Sequence, residues 1–135
     1  HEFTYACYPW TGSLADAALN DMAADLNTPP RVRPGAAASA SLVALDTPQV
    51  ELDSLKPADN AGADLVLRLH ETIGARPRCT VRLGFDVAAA YETDMLEQTT
   101  TNQIDVTNRE LHLSFTPFEI KTVRLTPAAQ HGAHT

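Results

Sequence analysis

Apolar residues that recur at every second position constrain this chain more than any other feature. The clearest runs lie at residues 65–69, 79–85 and 111–115. Successive side chains of a strand point to opposite faces, so each run predicts a strand with one buried face. Turn-forming residues separate the runs at intervals of about 8–12 residues, and no helices alternate with them. The sequence therefore predicts an all-β fold, an antiparallel β-sandwich of about seven to eight strands with one short helix near the N-terminus.

Length and charge limit the class of protein. The chain has 135 residues, of which 44% are hydrophobic, and this suits one domain with its own core. Ten basic against 17 acidic residues give a net charge of −7, and no basic run interrupts that acidity. Nucleic acid and anionic membranes are therefore poor partners, and no apolar run is long enough to span a bilayer. We expect a sandwich domain over residues 1–126 and a disordered tail over residues 127–135.

The remaining segments give weaker patterns. Residues 1–8 alternate like a strand, and residues 14–26 show helical spacing with Ser13 as a suitable N-cap. Residues 88–95 fit either a strand or a short helical turn. Residues 99–103, TTTNQ, resemble a loop.

The closing segment FTPFEIKTVRL, residues 115–125, changes phase along its length. Phe118 and Ile120 point to one side, whereas Val123 and Leu125 share the other phase. A bulge, packing on both faces, or passage from one packing environment to another would explain such a switch. We expect the first pair to enter the core between the sheets and the second pair to face the helix or a neighbouring domain.

Motifs of known catalytic sites are mostly missing, so we assign no catalytic and no metal-binding residue. His131 and His134 lie in the Gly/Ala-rich end, which favours a tail over a metal site. His70 and Glu71 are adjacent on a predicted strand and point to opposite faces, so they cannot act as a pair. Trp10, next to Tyr8 in the YPW segment, is a candidate sugar contact, although a tryptophan at the edge of the core is the commoner arrangement.

The two cysteines, Cys7 and Cys79, both lie in apolar strand patterns. We interpret them as buried free thiols rather than as a disulfide. No Asn-x-Ser/Thr site for N-glycosylation occurs in the sequence. Both observations favour a cytoplasmic protein.

Four stretches resemble one protein family in the same order. They are HEFTYACYPWTG (1–12), VELDSLKPADN (50–60), DLVLRLHETIGARPRCTVRL (64–83) and LHLSFTPFEIKTVRL (111–125). The chain is thereby similar to the last β-domain of family 38 glycoside hydrolases, the retaining zinc-dependent α-mannosidases. The family often has histidine where this chain has Trp10. Because the chain starts without an initiator methionine or a signal-like segment, we interpret it as a piece of a longer protein.

The resemblance implies that the zinc and the aspartate nucleophile belong to an upstream catalytic domain, which a helical domain follows. None of those motifs has a counterpart here, so this domain is expected to be a non-catalytic part of a glycosidase that hydrolyses terminal α-mannosides. Its expected partners are the upstream domains of the same polypeptide. The residues of the shared motifs that we assign to interdomain or structural roles are Phe118, Glu119, Lys121, Val123, Arg124 and Arg68.

Three functions follow as alternatives. The first is an accessory C-terminal domain that supports the enzyme and shapes its substrate cleft. The second is a carbohydrate-binding module that holds a mannose-containing glycan through Trp10. The third is an adhesion or partner-binding sandwich unrelated to sugars.

Overall fold

A computed structural model describes residues 3–13, 17–28, 30–35, 40–59 and 62–129. The chain divides into two compact units, His1–Ala38 and Ser39–Thr135. The end of the predicted tail, with His131 and His134, lies outside the described residues. No helix among the described residues is long and apolar enough to cross a membrane.

The N-terminal unit contains one helix, α1, Leu19–Asn27. It is shorter than predicted because Ala18, at a φ of 45°, takes the left-handed conformation at the N-cap. The proposal of Ser13 as the N-cap is therefore wrong. No residue of α1 is buried.

The strand predicted near the N-terminus is not formed. Residues 3–13 have no strand, and Phe3, Tyr5 and Trp10 are exposed. His1 and Glu2 lie outside the described residues. Alternation alone does not make a strand, because a strand also needs a neighbouring backbone to bond.

The second unit is a sandwich of two antiparallel sheets, which confirms the predicted fold class. The four-stranded sheet has the order β1-β4-β8-β7 and the five-stranded sheet the order β2-β3-β9-β5-β6. The described residues contain nine strands: β1 Val43–Leu45, β2 Val50–Pro57, β3 Leu65–Glu71, β4 Arg78–Leu83, β5 Val87–Thr93, β6 Thr100–Ile104, β7 Val106–Thr107, β8 Glu110–Ser114 and β9 Ile120–Pro127.

The core lies between the two sheets and is supplied by alternate residues, as the sequence predicts. Burying this apolar surface is the main favourable contribution to folding. The undecided segment 88–95 is mostly strand β5, whereas the predicted loop 99–103 is mostly strand β6. The buried members of the core are Val50, Leu67, Leu69, Cys79, Val81, Leu83, Ala90, Leu111, Leu113, Phe115, Val123 and Leu125.

The two faces of the closing strand are the reverse of our expectation. Phe118 and Ile120 are 69% and 48% exposed, whereas Val123 and Leu125 are fully buried. The reason is a turn at Thr116–Glu119, which places Phe118 before the strand rather than in it. The phase of β9 therefore starts at Ile120, and the assignment of the first pair to the core is wrong.

Candidate interaction surface

Glu71, at the end of β3, holds two separate turns together with one carboxylate. Its side chain is 1% exposed. It accepts hydrogen bonds from the backbone N–H groups of Ile73 (3.1 Å), Gly74 (2.8 Å), Ala75 (2.9 Å) and Phe118 (2.8 Å). Burial raises the pKa of Glu71, but these four bonds outweigh it and leave the pKa below its ordinary value of 4.5.

The second of these turns, Thr116-Pro117-Phe118-Glu119, has the pattern of a type II turn. The Glu119 N–H donates to the Thr116 carbonyl at 3.1 Å, and Phe118 has a φ of 57°. Proline suits the second position of this turn, but the third position normally favours glycine. The Glu119 carboxylate accepts from both the N–H (2.6 Å) and the hydroxyl (3.0 Å) of Thr116. The turn is thus closed by side-chain bonds in addition to its backbone bond.

The outer face of the five-stranded sheet carries charged side chains beneath a covering loop. Leu67 faces the core, so its neighbours Val66 and Arg68 point outward. Lys56 pairs in register with Val66 and therefore points outward as well. The Arg68 guanidinium donates to the Met95 carbonyl at 3.0 Å. The loop after β5 therefore lies over the outer face at Arg68.

Glu97 fastens this loop. The side chain is 4% exposed and accepts from Lys56 at 2.6 Å and from the Asp59 N–H at 3.1 Å, with Arg68 at 4.0 Å. The hydrogen bond from Lys56 is the main reason that the pKa of Glu97 lies below its ordinary value. Lys56 also pairs with Asp59 at 2.6 Å. No local pattern indicates this cluster, because its members come from three different segments.

His70 lies on the same outer face, opposite to Glu71, as the adjacent positions predict. Its Nδ1 is 2.9 Å from the Asp53 carboxylate, and its Nε2 is 3.9 Å from that of Glu51. Ile120 is the register partner of His70 on β9. His70 therefore lies between the exposed Ile120 and the two carboxylates of β2.

Lys121 lies at the border of the core rather than on the outer face. Its ammonium group is 2.8 Å from Glu92, 3.0 Å from Glu119 and 5.8 Å from the ring centroid of Phe115. Glu119 and Lys121 thus form an ion pair within the closing motif. Burial lowers the pKa of Lys121. The hydrogen bonds to the two carboxylates have the larger combined effect, and they leave the pKa above its ordinary value.

The other sequence-predicted site residues belong to two different units of the chain. Trp10 and Tyr8 are in the N-terminal unit and are 46% and 40% exposed. Arg124 on β9 is 3.9 Å from the Asp64 carboxylate. Within the described residues, no group of three or more His, Cys, Asp or Glu side chains could hold a metal ion. The hydrogen bonds and ion pairs of Glu71 and Glu97 join segments that are distant in sequence. Such contacts are typical of a structural or interaction surface.

Comparison with known proteins identifies the fold. A family described as "Glycosyl hydrolases family 38 C-terminal beta sandwich domain" matches residues 49–123. The chain belongs to this family. The matched residues begin next to β2 and extend into β9, so they contain both the Glu71 carboxylate and the turn before β9.

Two relatives of this family 38 domain cover almost the whole chain. Alpha-mannosidase 2C1 of Homo sapiens is 34% identical over 132 residues, and Alpha-mannosidase 2C1 of Mus musculus is 33% identical over the same length. Each alignment covers 93% of this chain and 13% of the relative. The chain therefore spans only a small part of the length of the curated relatives that it matches.

Proposed function

We propose that this chain is a non-catalytic, accessory C-terminal domain of an α-mannosidase. The observation that carries the proposal is the alignment with two α-mannosidases over 93% of this chain but only 13% of theirs. In this proposal the rest of the polypeptide contains the catalytic centre with its zinc, and it hydrolyses terminal α-mannosides. The sandwich supports that part of the enzyme and shapes its substrate cleft.

The side-chain chemistry of the sandwich supports this role. Glu71 is occupied by four backbone N–H groups, and Glu97 is occupied by Lys56 and a backbone N–H group. A glycosidase needs two carboxylates that flank a sugar bond, one of them available for proton transfer. Carboxylates committed to closing turns and loops stabilise a fold instead.

The test uses the complete polypeptide encoded by the reading frame that contains this chain. We expect the unaltered polypeptide to hydrolyse para-nitrophenyl α-mannoside. A version that lacks the sandwich, from residue 39 onward, should lose its activity at a lower temperature than the unaltered polypeptide on heating. The chain alone, as the matched control, should hydrolyse nothing. Hydrolysis by the chain alone would contradict the accessory role, as would a complete polypeptide without α-mannosidase activity.

A second candidate is a carbohydrate-binding module, which the exposure of Trp10 and Tyr8 favours. Exposed aromatic rings can stack on a sugar ring. Titrating the chain with mannose while following the fluorescence of its single tryptophan separates the two functions. The accessory role predicts no saturable change up to high millimolar mannose, whereas a binding module predicts saturation that Trp10→Ala removes.

We also propose a cytoplasmic location, which the state of the two cysteines supports. Both are free thiols, and Cys7 is exposed rather than buried as the sequence predicted. Burial raises the pKa of the Cys79 thiol to about 11, so this cysteine is unreactive. An exposed thiol such as Cys7 persists in a reducing compartment. Cell fractionation with an antibody against the chain tests the location, and recovery in the secreted or luminal fraction would contradict it.

A further inference from the structure

Phe118 combines a strained backbone with an exposed ring. Its φ of 57° is a conformation that bulky residues rarely adopt, yet 69% of the residue is exposed. Strain of this kind persists only where surrounding contacts impose it, and it concentrates at functional positions. The stability of the sandwich does not explain why phenylalanine occupies this position, because glycine would fit the turn without strain.

Hydrogen bonds hold the backbone of Phe118, and one contact seats its ring. The Phe118 N–H is held by Glu71 at 2.8 Å, and the turn is closed by the Glu119 carboxylate. The ring lies against Gly74, where a Cβ atom would come within 2.9 Å of the Phe118 Cζ atom. The far end of the ring is therefore seated on a glycine, while most of the residue stays exposed.

Two exposed isoleucines adjoin Phe118 or its contact Gly74 along the chain. Ile73, which precedes the glycine under the ring, is 36% exposed, and Ile120, two residues after Phe118, is 48% exposed. We call Ile73, Phe118 and Ile120 the Phe118 patch. Across the strands the patch is bordered by His70, the register partner of Ile120, and the Asp53 and Glu51 carboxylates lie on the far side of that histidine. Its chemistry fits an apolar pocket.

We propose that the Phe118 patch is the point at which this sandwich docks onto the remainder of its own α-mannosidase polypeptide. The inference rests on the proposed function. The occupant follows from the length of the relatives, since 87% of each one lies outside the part that this chain matches (100 − 13 = 87). A preoriented aromatic side chain loses little conformational entropy when it enters a pocket, so it suits a permanent intramolecular contact.

The first experiment separates docking from folding by comparing Phe118→Gly in two contexts. In the chain alone, we expect the variant to melt at the same temperature as the unaltered chain or higher, because glycine relieves the strain. In the complete polypeptide, we expect a lower melting temperature and faster loss of para-nitrophenyl α-mannosidase activity on heating. The matched control is Leu42→Gly, because Leu42 is a 63% exposed apolar residue next to β1 of the other sheet. This variant should change the melting temperature by the same amount in the chain alone and in the complete polypeptide.

The second experiment identifies the occupant. With para-benzoyl-phenylalanine in place of Phe118, irradiation of the complete polypeptide should produce cross-links to its own segments upstream of this chain. Cross-links confined to this chain, to a second copy or to a different protein would overturn the proposal. So would a Phe118→Gly effect that is equal in both contexts or absent from the complete polypeptide.

The two proposals fail in distinguishable ways. If the unaltered complete polypeptide shows no α-mannosidase activity, the proposed function fails, while cross-linking and melting still judge the docking. If activity is present but the cross-links do not reach upstream segments, only the docking proposal fails.

Discussion

Two buried glutamates, Glu71 in the five-stranded sheet and Glu97 in the loop that covers it, have their charges stabilised in different ways. Glu71 is 1% exposed and is surrounded by backbone N–H groups. Glu97 is 4% exposed and depends on the Lys56 ammonium, one backbone N–H and the more distant Arg68 guanidinium. A buried carboxylate requires such partners, because the charge is costly to remove from water.

The difference shows which contacts the fold itself provides. Backbone donors are already fixed by the two turns, so Glu71 needs no further side chain to be ordered. Lys56 and Arg68 are long and partly exposed, so their pairing with Glu97 costs side-chain entropy and is weakened by salt. We therefore expect Glu71 to matter more for stability and Glu97 to respond more to the solvent.

The largest expected effect comes from Glu71→Gln. The amide has one oxygen to accept and brings an NH₂ group against backbone donors, so we expect a loss of about 2–4 kcal/mol in the free energy of unfolding. Urea denaturation of the chain at neutral pH measures it. The comparison breaks down if Glu97→Gln costs as much as Glu71→Gln.

Acid should remove part of the same contribution. Because the pKa of Glu71 in the folded chain lies below its ordinary value of 4.5, its stabilisation is complete above that pH. The contribution is lost as pH falls through the lower folded-state pKa. The difference in unfolding free energy between the unaltered chain and Glu71→Gln should therefore shrink between neutral pH and about pH 3. Glu110→Gln, in the surface pair with Arg82, serves as a control, and a constant difference for Glu71→Gln would refute this assignment.

Gly74→Ala tests the contact between the two turns that Glu71 connects. Gly74 has a φ of 76°, and an added Cβ would press on the Phe118 ring at 2.9 Å, so we expect a loss of about 1–2 kcal/mol. Gly62→Ala is the matched control, because it has a positive φ of 113° but nothing within 4 Å of the new Cβ. Adding Phe118→Gly to the Gly74→Ala variant should restore the part of the lost stability that the ring contact causes. Equal losses for Gly62→Ala and Gly74→Ala would show that the ring contact is unimportant.

Glu97→Gln should have the smallest effect, about 1 kcal/mol, because its partners can turn toward water. Raising the salt concentration to about 1 M should reduce this loss further, while the loss for Glu71→Gln stays the same. Denaturation curves for both variants at low and high salt provide the measurement. A salt response at Glu71 equal to that at Glu97 would remove the distinction.

The sequence predicts what depends on local alternation. The strands around Leu67, Val81 and Leu113 lie as expected, because their neighbours two positions away share one buried face. The N-terminal strand is absent, since alternation at Phe3 and Tyr5 does not provide a backbone partner. These outcomes separate a periodic pattern from the pairing that a strand also requires.

The candidate site was harder to predict because its contacts are distant in sequence. Glu71 and Phe118 are 47 positions apart, and no pattern of either segment alone indicates that bond. A local signal existed for the turn, since Pro117 suits its second position and implies that the following residue precedes the strand. Using that signal would have given the correct phase of β9 and placed Phe118 in solvent.

The left-handed backbone of Phe118 also has an evolutionary consequence. If docking is what retains an aromatic residue in a position suited to glycine, selection at this site acts on assembly and opposes the preference of the turn. Homologous sandwiches that have separated from their enzymes should then drift toward glycine or asparagine at this position, while the carboxylate beneath them is kept.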